Sequence, residues 1–96
     1  MFETYLEDED GKLTFQFEDG KVFAHAIAKK WNKSVYLKFQ DVWYVAKEEL
    51  REVGYDTIYV LIPANDKKLF KFETIFGFKL VGQKDNVLLM ECSTEN

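Results

Sequence analysis

The hydrophobic pattern changes period along the chain, and those changes predict its elements. From Lys12 to Phe17 it alternates strictly, with Leu13, Phe15 and Phe17 on one side and Thr14 and Gln16 on the other. A period of two predicts a half-buried strand. Asp19-Gly20 follows, and glycine accepts the positive φ that a tight hairpin turn needs. Lys21 to Ala28 is then the returning strand, with Phe23 and Ile27 on one face and Val22, Ala24 and Ala26 on the other. Polar Lys29 to Lys33 predicts a further turn. Ser34 to Phe39, where Val35, Leu37 and Phe39 alternate with Tyr36 and Lys38, predicts a third strand. Residues 12–39 therefore read as an antiparallel meander. Phe2 to Leu6 adds a short edge strand within an acidic N-terminal segment, residues 1–11.

Beyond residue 40 the period lengthens. Val42, Val45, Ala46, Leu50 and Val53 recur at three- and four-residue steps, which predicts an amphipathic helix over 41–53. Asp41 is placed to cap its start and Gly54 to end it. Thr57 to Ile62 is β-branched and almost wholly apolar, as suits a strand buried on both faces. Pro63 closes it. Asn65 or Asp66 caps a second helix over 66–76, whose apolar stripe is Leu69, Phe72, Ile75 and Phe76. Phe78 to Val81 and Val87 to Met90 predict a closing hairpin over 78–91, turning at Lys84-Asp85-Asn86. The predicted order is β-β-β-α-β-α-β-β. A strand between two helices is expected to run parallel to the strand before the first helix, through a right-handed crossover. The expected fold is mixed α+β: one mostly antiparallel sheet with a helix on each face.

Ninety-six residues make a single domain, 1–96, with no linker or repeat. The 17% aromatic share supplies large apolar area for so short a chain and argues for a packed core. The net charge of −4 gives no footprint for nucleic acid. Glu7-Asp8-Glu9-Asp10 reads as a solvated turn rather than a metal site. Lys29, Lys30 and Lys33 beside Trp31 read as a wet hairpin end, with a single-strand platform as the sharper alternative. The one cysteine, Cys92, excludes an internal disulfide and fits a reducing compartment. No Cys/His spacing suggests a metal, and no apolar run is long enough to span a bilayer. An intracellular, cytoplasmic protein is expected.

The ending resembles a known family. A helix opened by Asn65-Asp66, then Gly77-Phe78 and a closing hairpin, is similar to the C-terminal end of GNAT-type N-acetyltransferases, and the likeness extends over about Lys12 to Glu91. The family's first strand and two helices are missing or reduced to Met1–Leu6. The resemblance implies acetyl-CoA bound where the sheet splays, its pyrophosphate held by the turn between a central strand and the next helix. On the predicted elements that turn is Gln40, Asp41, Val42 and Trp43, with Asn65 and Asp66 opening the later helix. It lacks glycine, lysine and arginine, and Asp41 would repel a pyrophosphate. The family's proton donor, a Tyr four residues before the helix-ending Gly, is matched by Glu73, which reads as a surface residue or an unusual acid. A carboxyl donates a proton near neutrality only if burial raises its pKa. His25, the sole histidine, reads as a strand histidine or a general base.

Two functions follow as expectations. The first is a GNAT-like domain without transferase chemistry and without cofactor, acting by binding or assembly. The absent N-terminal helices would leave a sheet face bare for a protein partner or for self-association as a homodimer, with no part for nucleic acid or membrane. Short relatives are frequent in phage genomes, so the resemblance admits an accessory or virion protein. The second is a minimal acetyl-CoA-dependent N-acetyltransferase acting on an amine.

Overall fold

The computed structural model describes residues 1–95; the last position of the expected 1–96 domain lies outside the described residues. Six strands form one mixed sheet. They are β1 (Phe2–Glu7), β2 (Gly11–Glu18), β3 (Lys21–Ala28), β4 (Thr57–Pro63), β5 (Lys79–Lys84) and β6 (Val87–Ser93), joined by α1 (Lys33–Glu52) and α2 (Lys67–Ile75). The spatial order is β1-β2-β3-β4-β6-β5. All neighbours are antiparallel except β3 and β4, as expected for a strand reached through a helix. The Asp19-Gly20 turn is present, with φ of 51° and 75°.

The expected order of elements holds, but not every assignment within it. Residues 34–39 are not a strand: they form the first third of α1, so the meander over 12–39 is wrong beyond Ala28. The strand count survives because β1, at the edge, pairs with β2 along its length apart from a bulge between Thr4 and Leu6. The alternation of Val35, Leu37 and Phe39 is incidental. The packing residues are Val35, Phe39, Trp43, Ala46 and Leu50, at helical steps of three and four, while Leu37 is exposed. Nor does Asp41 cap the helix. Asn32 does, its backbone extended and its side-chain oxygen accepting from Val35 N–H at 2.9 Å.

A second correction concerns layering. Both helices lie on one face of the sheet. Phe15, Val22, Ala24, Ile58, Val60, Ile62, Leu88, Met90 and Cys92 alternate inward from the strands and meet Trp43, Ala46, Leu50, Phe76 and Phe78. Topology explains this. The crossovers β3-α1-β4 and β4-α2-β5 both step across the sheet in the same direction, and connections of one hand then land on one side. Trp43 ties the helices together, its indole Nε1 donating to the Phe76 carbonyl at 2.9 Å.

The acidic N-terminal turn is bound into the fold. Asp8 Oδ1 accepts from the Asp10 and Gly11 amides, and the Lys38 ammonium from α1 bridges the Asp8 and Asp10 carboxylates. That bridge holds the Asp8 carboxyl below the usual carboxylate range. Gly11 is required by close approach: a Cβ there would lie 2.4 Å from the Ile27 carbonyl and 2.6 Å from the Phe39 ring.

Candidate functional site

β3 and β4 pair only at Val22–Ile58 and Phe23–Tyr59. Beyond these the two parallel strands separate, although β3 runs on to Ala28 and β4 to Pro63. The gap opens toward the carboxyl ends of the strands, where open α/β sheets bind ligands. Small side chains, Ala24 and Ala26, line it from β3 and Val60 from β4, while Phe39, Trp43, Phe72 and Phe76 close over it from the helices. The remaining cavity is about 50 Å³.

The turn entering the first helix after the gap is Lys29 to Asn32, not Gln40 to Trp43. Gln40, Asp41, Val42 and Trp43 therefore do not form that turn. All four lie inside α1. Asp41 is exposed, Val42 is half-buried, Trp43 is buried, and Gln40 donates to the Tyr36 hydroxyl at 3.2 Å. Gln40, Asp41 and Trp43 line an open surface hollow of about 450 Å³ together with Tyr44, Lys47 and Glu95. The true turn is basic, with Lys29 and Lys30 before the helix and Lys33 at its first position. The electrostatic objection to an anion at this turn accordingly disappears. The signal was legible in Asn32, a capping residue after a lysine pair, but the alternation from Val35 to Phe39 concealed it.

A steric obstacle takes its place. Trp31 folds back from the turn over the helices. Its ring centroid lies 5.3 Å from Phe72, 6.2 Å from Phe39 and 6.5 Å from Phe76, three residues that line the cavity, and 6.0 Å from Tyr36. Asn65 and Asp66 do open α2, and Asp66 is the cap, accepting from Leu69 N–H at 3.0 Å.

Glu73 is not a surface residue. It is 5% exposed and lines the cavity. Burial pushes its carboxyl up to about 7. Cys92 lies near it and near Lys47. Burial pushes the thiol up, a shift the Lys47 charge opposes. His25 is elsewhere. It is exposed on the face without helices, its Nε2 2.9 Å from Gln16 Oε1 and its ring 5.8 Å from Phe2. The sheet stands between His25 and Glu73, so the two cannot act on one reacting atom. Among the described residues no three His, Cys, Asp or Glu side chains converge as a metal site, and no helix is long and apolar enough to cross a membrane.

No protein-family model matches the sequence, and no curated protein does. Solved structures do match the fold. The PaiA N-acetyltransferase of Thermoplasma acidophilum, in complex with coenzyme A, superposes with a TM-score of 0.70 at 15% identity, covering 86% of this chain and 52% of that one. A domain from Methanocaldococcus jannaschii gives 0.62 at 15% identity, covering 86% and 55%. An uncharacterised protein from Bacillus halodurans gives 0.59 at 15% identity, covering 90% and 60%. The chain thus spans little more than half the length of these structures. The fold is of the GNAT type in reduced form: a mixed sheet, two helices and a splayed parallel pair.

Proposed function

We propose that this GNAT-type domain works by binding a protein partner rather than by transferring an acetyl group. One observation carries the reading: the gap between β3 and β4 is filled. About 50 Å³ remains, against roughly 300–1,000 Å³ for small-molecule sites. Trp31, Phe39, Phe72 and Phe76 form a connected aromatic cluster where a cofactor arm would have to run. The candidate acid and base, Glu73 and His25, sit on opposite faces. The setting that fits is an intracellular accessory or virion component with no cofactor.

A second reading, acetyl-CoA-dependent transfer to an amine, is favoured by the basic turn and the buried, harder-to-ionise carboxyl together. Lys29, Lys30 and Lys33 surround the start of a 20-residue helix, where free amides and the helix dipole favour an anion. Glu73 would then hand its proton to the departing thiolate, after Trp31 had swung clear.

Calorimetric titration with acetyl-CoA separates the two, on the wild type and on Trp31→Ala. No heat from the wild type is expected. Micromolar binding, about −8 kcal/mol, would overturn the first reading. Binding by Trp31→Ala alone would identify the indole as the plug, and silence from both would mean that only the scaffold remains.

A further inference from the structure

With both helices on one side, the other face of the sheet is open. Strand pairing defines its members. Phe23 lies beside Tyr59, their rings 5.7 Å apart, and Leu61 beside Leu89. Ile27 is 61% exposed, Leu61 58% and Phe2 65%. Soluble monomers seldom leave more than a few hundred Å² of contiguous apolar surface in water.

The charges around this band are mixed. On the same face, β5 carries Lys79, opposite Glu91 of β6, and Lys84, opposite Val87. The other side carries Glu18 of β2, opposite Lys21 of β3, and Glu7 of β1, 4.0 Å from Lys12. Following the register across the sheet, Lys79 is level with Gln16 and Phe2, and Lys84 is level with Glu7 and Lys12. Now consider two copies packed face to face about a twofold axis that runs along the strands between β3 and β4. The strand order sets β5 of one copy over β1 of the other, and β6 over β2. Lys84 then meets Glu7 of the second copy, while the two apolar bands meet at the axis. The size is sufficient. Six strands at ~4.8 Å spacing and about seven residues at ~3.3 Å rise give a footprint of roughly 550 Å² per copy. Two such faces bury about 1,100 Å², just above the roughly 1,000 Å² that a biological interface should clear.

From this geometry we infer that the open face binds a second copy of this chain, forming a twofold homodimer whose two sheets pack as a sandwich with the helices outside. The inference rests on the reading that the domain acts by association, and it names the partner. An isologous contact must be self-complementary, and an apolar band with Lys84 at one margin, level with Glu7 at the other, meets that requirement.

The test is sedimentation of the intact protein over about 1–200 µM, the range where an interface of this size is expected to form. The expected result is a concentration-dependent species of twice the 11.3 kDa mass. Leu61→Glu would bury an unpaired charge at the axis and weaken the dimer at least about a hundredfold, with circular dichroism unchanged. If that variant does not fold, the charge pair keeps the question decidable. Lys84→Glu is expected to weaken association about tenfold, and adding Glu7→Lys to restore it. A monomer throughout the range overturns the inference, as does a dimer indifferent to both substitutions. A dimer that also binds acetyl-CoA would overturn the non-transfer reading and leave the interface standing.

Discussion

Replacing Glu73 by Gln should stabilise the protein at alkaline pH and change little in acid. The carboxyl is 5% exposed, and burial raises it from 4.5 to about 7. Between those values the unfolded chain has released this proton while the folded chain still holds it. Stability therefore falls as pH rises through the interval and levels off above the folded value. At about 1.4 kcal/mol per pH unit, the loss above pH 8 is roughly 3 kcal/mol. Glutamine keeps the side-chain volume and cannot ionise. Urea unfolding followed by tryptophan fluorescence reports the difference, since Trp43 is buried in the core. At pH 4.5 the variant should differ from wild type by only a few tenths of a kcal/mol; at pH 8 it should be about 3 kcal/mol more stable, raising Tm by well over 10 °C. Any packing or hydrogen-bond cost of the amide is independent of pH and cannot imitate the slope. A stability difference that stays flat between pH 4.5 and 8 would refute the argument, because the carboxyl would then be no harder to ionise in the folded state.

Gly11→Ala should cost about 2–3 kcal/mol, read as a shifted urea midpoint, because its Cβ would strike the Ile27 carbonyl and the Phe39 ring. Asn32→Ala should cost about 1 kcal/mol through loss of the α1 cap. Asp41→Ala should be neutral or slightly stabilising, as at any exposed mid-helix site; equal costs at the two positions would contradict the assigned helix start.

Where only local chemistry was at stake, the residues announced the structure. Strict alternation in β2, the Asp19-Gly20 turn, the Asp66 cap and the closing hairpin all match their expected places, and β4 matches in position but not in its expected burial on both faces, since Leu61 is 58% exposed. Each depends on contacts within a few residues, so composition and spacing suffice. The start of α1 was harder. Val35 to Phe39 satisfies a period of two over five residues and a helical period over longer range. Only the core that Phe39, Trp43 and Leu50 share chooses between them. That one misassignment moved the candidate anion turn by about ten residues, away from its lysines.

What the sequence determined by itself was therefore the inventory: one small aromatic domain, its element order and its mixed sheet. Tertiary structure decided the rest. The direction in which two crossovers step across the sheet set both helices on one side and left the other open. Packing turned Glu73 from an apparent surface residue into a buried acid, and it set the half-exposed Trp31 against Phe72. Burial and proximity between distant segments leave no mark in local spacing, because they depend on which faces meet after the chain has folded.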